Sequence, residues 1–220
     1  MRLARKINLW LKGFLVDFLL KIYGVKIVEA KTEEQKKAVY RLRYQIYKEY
    51  GYIDPDDFPN GEMKDEEDEH SISFLALKNN QPVGIIRIIK GNKKDDFSPF
   101  QVWQVNFHKF SYPFSKMTEI SKLGILKHTK NKHLIWWGLM KRVYMWSKRY
   151  GIDQWIFVTH SKLVSRIREV FDTPVYEIPL KEEKINIEKV KKMGLQRYLE
   201  IYHPRPFYIK FKEIGKTGKK

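Results

Sequence analysis

The apolar positions of this chain repeat at two periods, near two residues and near three and a half, and they switch from one to the other several times. Residues 25–30 (VKIVEA) read as a strand. Thr32 with Gln35 three positions on has the form of a capping box. The helix it starts runs through EEQKKAVYRLRYQIYKEY to about Gly51, with Val39, Leu42, Ile46 and Tyr50 as its buried stripe. Arg43 and Tyr47, four apart, share a face beside that stripe. SISFLALKNNQPVGIIRIIKG then reads as two strands joined by a turn at KNNQP. Residues 92–116 are polar and aromatic and predict loop with short helix. A strand follows over 117–126. Ile135, Leu139, Val143 and Trp146 predict a helix over 133–150 that Gly151 ends. QWIFVTH predicts a strand, SKLVSRIREVF a helix, and VYEIPL and RPFYIKFKEI two late strands; the last five residues read as a tail. The order is β-α-loop-β-β-loop-β-α-β-α-β-β, a mixed α/β sheet with helices on both faces.

With no repeat or low-complexity linker, residues 25–215 read as one domain, preceded by a segment over 1–24. In that segment Leu3, Ile7, Trp10, Leu11, Phe14, Phe18 and Ile22 form a helical stripe, with Arg2, Arg5, Lys6, Lys12 and Lys21 mostly off it. Lys12, Asp17 and Lys21 leave the apolar runs too short for a signal peptide or a membrane span. Two readings stand equally. In one, the basic amphipathic helix of residues 1–22 rests on a membrane surface. In the other it packs on the domain.

Charge changes this picture more than composition does. The 220 residues include 43 Lys and Arg against 26 Asp and Glu, a formal net charge of +17. Residues 54–70 hold nine acids and one lysine, which leaves 42 basic and 17 acidic residues elsewhere, or +25. A basic surface of this size suits nucleic acid, anionic lipid or an acidic protein. Cysteine is absent, which excludes disulfides, thiolate metal sites and cysteine nucleophiles. His128 and His133, five apart, do not fit metal spacing, so no metal is expected. THS at 159–161 lacks the glycines of a nucleophile elbow, and no phosphate loop ending in G-K-[ST] occurs.

What remains is charge where charge is costly. Arg87 lies among isoleucines in GIIRIIKG, and Glu119 opens the strand MTEISKLGI. A buried guanidinium needs a carboxylate, and Asp65, Asp68 and Glu119 are candidates. The same residues describe an ion-pair network that only staples the sheet, and the pattern by itself favours that reading.

Taken in order, Arg43-x-x-x-Tyr47, Asp65-x-x-Asp68 in an acidic loop, GIIRII with Arg87 and EISKLGI with Glu119 resemble the acyl-homoserine-lactone synthases and the long-chain N-acyl amino acid synthases. Both belong to the GNAT superfamily of N-acyltransferases. The resemblance implies a GNAT-like α/β fold and transfer of a fatty acyl group from a thioester to an amine. It implies catalytic roles for Glu119, Asp68 and Arg87, and acceptor binding by Arg43, Tyr47, Asp65, Ser121 and Lys122. The family's arginine three residues after the glutamate is here Lys122, and its tryptophan after the first helix is replaced by Tyr52 and Ile53. KHTKNKHL lacks the glycines that hold a coenzyme A pyrophosphate. In their place Lys127, Lys130 and Lys132 can meet a single phosphopantetheine phosphate, while Leu123 and Ile125 flank the acyl group. Trp103, Phe107, Phe110, Trp136 and Trp137 read as either an acyl tunnel or ordinary core.

The expected donor is an acyl carrier protein, or coenzyme A, as cosubstrate without a resident cofactor; the expected location is cytoplasmic, at the inner face of a membrane. Within the class, a homoserine-lactone synthase using S-adenosylmethionine is the alternative. From another class, a basic nucleic-acid-binding module competes, but the basic residues are dispersed and form no aromatic-basic motif, so no nucleic acid is expected.

Overall fold

Residues 14–110 and 112–214 are described by the structure, a computed structural model. Residues 14–22 are helical (α1) and turn through Gly24, at φ +64°, into β1 (Val25–Glu29). The capping box forms as the sequence predicts: the Gln35 N–H donates to Thr32 Oγ1 at 3.2 Å, and the Thr32 N–H donates to Gln35 Oε1 at 3.1 Å. Such a cap is worth about 1 kcal/mol. The helix it starts, α2 (Glu33–Glu49), buries Val39, Leu42 and Ile46 and also Arg43 and Tyr47. Tyr50, expected in that stripe, is instead the half-buried C-cap. Short 3-10 turns at Pro55–Asp57 and Glu66–His70 punctuate the acidic loop.

The hairpin is as expected. β2 (Ser71–Lys78) and β3 (Gln81–Lys90) are joined by Asn79 and Asn80, at φ +50° and +63°. Two successive left-handed residues make the turn whose twist matches antiparallel strands, and asparagine tolerates that conformation. Further on come α3 (Ser98–Val102), β4 (Trp103–Val105), β5 (Met117–Ile125) and α4 (Lys132–Arg149), with Gly151 at φ +64° after the last helix. Then follow β6 (Gln154–Thr159), α5 (Ser161–Phe171), β7 (Tyr176–Glu177), β8 (Leu180–Ile185), α6 (Ile187–Lys192), α7 (Gln196–Tyr202) and β9 (Arg205–Lys210).

The main sheet has seven strands in the order β1-β2-β3-β5-β6-β9-β7, flanked by helices. β5 pairs parallel with β6, Met117 opposite Gln154 and Ile120 opposite Phe157; β6 with β9, β9 with β7 and β1 with β2 pair antiparallel. β4 and β8 form a separate antiparallel pair. That pair corrects the single strand expected over VYEIPL. Pro179 has no N–H to continue a ladder, so β7 stops at Glu177 and the chain restarts in the other sheet. Ile178 donates to the Pro206 carbonyl at 2.9 Å, while Pro179 accepts from the Asn106 N–H at 2.7 Å.

Two compact units emerge. The first comprises the described part of Met1–Lys64 with Ser71–Arg87 and Lys122–Trp146; the second comprises Asp65–His70, Ile88–Ser121 and Ser147–Lys220, as far as described. In the first, Ile46, Leu42, Val39, Ile135 and Leu139 are buried. In the second, Phe97, Phe100, Val105, Phe110, Met117, Ile156 and Ile178 form one core cluster, and Val102, Trp103, Val190 and Met193 another.

Candidate active site

Glu119 answers why a core strand carries a carboxylate. Met117–Ile120 are all buried, so this half of β5 is covered on both faces and its alternation is not one of inside and outside. The Glu119 side chain, 3 % exposed, accepts two hydrogen bonds from Ser98: the Ser98 N–H reaches Oε2 at 2.7 Å and the Ser98 hydroxyl reaches Oε1 at 2.9 Å. Ser98 is the first residue of α3, followed by Pro99 in the first turn, where a missing N–H costs nothing. Thr118, the neighbour of Glu119, donates to the Ile89 carbonyl at 2.7 Å. These two charge-assisted bonds help to orient the carboxylate.

In the same unit, Asp68 Oδ2 accepts from the Asp65 N–H at 2.9 Å, so the expected acidic pair closes its own turn and starts the 3-10 segment Glu66–His70. Asp65 is buried. A cleft of about 750 Å³ opens beside that segment, lined by Glu66, Glu67, Glu69, His70, Asp95, Asp96 and Lys189 among others. Lys189 pairs with Glu67 Oε1 at 2.8 Å and Glu66 Oε2 at 3.3 Å. Burial works against its ammonium, yet the hydrogen bonds and charges of Glu67 and Glu66 hold it above the ordinary lysine range.

In the other unit, Arg43 and Arg87 are both fully buried. Arg43 Nη1 donates to the Met63 carbonyl at 3.0 Å, and its guanidinium lies 5.7 Å from the Tyr40 ring centre. Arg87 sits in β3 between Ile86 and Ile88, which are as buried as it is. Lys122 takes φ +53°, which interrupts the regular strand, and puts its Nζ 5.7 Å from the centre of the Tyr47 ring. Two expected acceptor-binding residues therefore meet as a cation on an aromatic face. Ile125 is buried and Leu123 half-buried. Lys127 and Lys130 are exposed in the loop before α4. The Lys127 N–H donates to Glu49 Oε2 at 2.8 Å, and Lys132 Nζ lies 3.5 Å from the Tyr50 hydroxyl.

Ser98, Lys189 and the Met63 carbonyl escaped the sequence reading. Pro99 marks a helix start beside Ser98, but nothing in the spacing joins it to a glutamate 21 residues on. Trp103 and Phe110 pack in the two core clusters of their unit, and Phe107 lies against one of them. No group of three or more His, Asp or Glu is arranged to hold a metal among the described residues.

This sheet with its buried glutamate on the fourth of seven strands has the fold of the GNAT-type N-acyltransferases. Across 84% of this chain and 88% of the other it superposes on the AHL synthase LasI, at a TM-score of 0.59 and 16% identity. On the CoA-dependent acyl-homoserine lactone synthase BjaI the values are 0.56 and 15%, over 84% and 82% of the two chains. On a Lactobacillus plantarum protein described as an N-acetyltransferase they are 0.52 and 13%, over 85% and 97%. No curated protein matches the chain by sequence. The family model of the N-acyl amino acid synthase FeeM matches residues 38–185, and the chain belongs to that family. It is thus an N-acyltransferase of the N-acyl synthase kind.

Proposed function

We propose that this protein transfers a fatty acyl group from the thioester of an acyl carrier protein, or of coenzyme A, to the amine of an amino acid. The observation that carries the reading is Glu119, a carboxylate buried in a central strand and oriented by both donors of Ser98, in a chain of the N-acyl amino acid synthase family.

An amine attacks a thioester carbonyl only when neutral, so its proton must be taken up. Glu119 accepts that proton, directly or through one water. The amine nitrogen bonds to the carbonyl carbon and the oxygen gains negative charge. We assign the donor to that oxygen to a backbone N–H among residues 123–125, since the Leu126 N–H is already bonded to the Val83 carbonyl at 3.0 Å. The carbon–sulfur bond then breaks; the second proton, which the nitrogen sheds as it becomes an amide, goes to the leaving thiolate, and Glu119 returns its own proton to solvent. The reaction consumes no redox equivalent and passes through no acyl-enzyme, so its chemistry needs neither a resident cofactor nor a cysteine.

The other roles follow charge. Asp65 and Asp68 attract the acceptor's ammonium, and Arg43 or Arg87 its carboxylate, with Tyr47, Ser121 and Lys122 completing acceptor binding. Lys127, Lys130 and Lys132 meet the phosphopantetheine phosphate. A basic chain suits an acidic carrier protein in the cytoplasm.

The test is incubation of the purified protein with acyl carrier proteins and coenzyme A thioesters of several chain lengths and a panel of amino acids, followed by mass analysis. N-acyl amino acids are expected. Acyl-homoserine lactones formed from S-adenosylmethionine, with no N-acyl amino acid, would overturn the acceptor. Salt-dependent nucleic-acid binding without thioester cleavage would overturn the enzyme.

A further inference from the structure

The face that α1 turns to solvent is its apolar one. Leu20 is buried, and a methyl placed on Gly138 of α4 would lie 2.8 Å from Leu20 Cδ1, so the two helices touch there. Three residues earlier in α1, Asp17 Oδ2 accepts from Lys141 Nζ at 2.6 Å, three residues later in α4. The helices therefore run antiparallel, and Leu20 and Asp17 form the docked side. At 100° per residue, Leu15, Phe18 and Ile22 fall on a different side, within about 60° of one another. They are 53%, 55% and 60% exposed. Met145, one turn beyond Lys141 on α4, is also exposed.

Charge decides what this face fits. Residues 1–26 contain six Lys and Arg and a single acid, Asp17. That acid is tied to Lys141, so the basic residues of the segment have no free carboxylate of their own to offset them. A monomer gains nothing by keeping three large apolar side chains in water beside basic residues. A bilayer surface with anionic headgroups takes both: the aliphatic and aromatic groups enter the acyl boundary, and the lysines stay at the headgroups. Among the described residues no helix is long and apolar enough to cross a membrane, which fits attachment along a surface.

We propose that α1 seats this protein on an anionic lipid surface through Leu15, Phe18 and Ile22. This attachment is separate from the acyl-transfer reading and does not depend on it.

The full chain is sedimented with vesicles of phosphatidylcholine and phosphatidylglycerol at 3:1, and with phosphatidylcholine vesicles alone. Binding to the anionic vesicles is expected, weaker at 0.5 M salt and at least tenfold weaker on the neutral ones. The double variant Phe18→Ser/Ile22→Ser is expected to lose at least tenfold in affinity while keeping the wild-type circular dichroism and unfolding midpoint. Equal binding by the variant, or no binding by the wild type, overturns the proposal. So does a concentration-dependent dimer without vesicle binding that the variant abolishes, since a second copy would then cover the face.

Discussion

Ser98 donates to both oxygens of the Glu119 carboxylate, through its backbone at 2.7 Å and its hydroxyl at 2.9 Å. Ser98 thus contributes to both the position and the twist of the proposed proton acceptor. For Glu119→Gln the shape is kept. The Ser98 hydroxyl, which donates or accepts, can turn to receive the new amide N–H. Turnover is expected to fall about 10²–10⁴-fold, the usual share of a general base, with acyl-donor binding unchanged. Single-turnover kinetics alongside donor-binding measurements check this, and wild-type turnover would remove Glu119 from the mechanism.

Ser98→Ala keeps the backbone bond and removes the hydroxyl. A buried carboxylate oxygen then loses a donor, at a cost of about 1–3 kcal/mol. For a chain of this size that is roughly 2–4 °C in Tm per kcal/mol. The measurement is a thermal unfolding scan with turnover in parallel. Ser98→Thr restores the hydroxyl and should recover most of the loss in both.

Gly124 lies in β5 where a side chain has no room. A methyl there would stand 2.8 Å from Ile46 Cγ2, and Ile46 is among the most buried residues of α2. Gly124→Ala is therefore expected to destabilise by about 1–3 kcal/mol through overpacking, seen as a lower urea midpoint. Ile46→Ala removes the clashing Cγ2, so the double variant Gly124→Ala/Ile46→Ala should lose less than the sum of the two single variants.

Burial, aided by the nearby Lys162 charge, holds the His160 imidazole below its ordinary value; its ring lies 5.5 Å from that of Tyr202. An unfolded chain therefore takes up this proton first as pH falls through about 6.5, and the fold loses stability from there downward to the lowered folded-state value. Above that window His160 is neutral in both states and contributes no slope. Urea midpoints between pH 5 and 8 test the sign: His160→Phe, which keeps a ring against Tyr202, should gain on the wild type toward the acid end and not at pH 8.

The elements that sequence made legible are those in which a single local rule acts. The capping box of Thr32 and Gln35 and the Asn79–Asn80 turn need only their own residues. β8 was opaque for the opposite reason. Its LKEEKI has four exposed residues in the middle, so no apolar alternation marks it, and its pairing with β4 is a tertiary matter. α6 and α7 are too short to show a helical stripe. In the site, the cost of burying charge pointed to Arg87, Glu119, Asp65 and Asp68: the first three are buried and Asp68 is half-buried, while Arg43 and Lys122, named by the resemblance, are buried too. Of the neutral residues the resemblance named Tyr47 and Ser121, but nothing pointed to Ser98 or the Met63 carbonyl, because a serine or a carbonyl carries no penalty that betrays its place.

Among the described residues β9 is the last strand in sequence yet not an outer strand of the sheet: it lies between β6 and β7, with Lys210 opposite Gln154, 56 positions earlier. A ribosome making this protein must therefore release residues 205–210 before β6 finds its second neighbour. Until then β6 offers an open row of peptide groups to any passing strand, so this half of the sheet is where newly made chains are most exposed to mispairing.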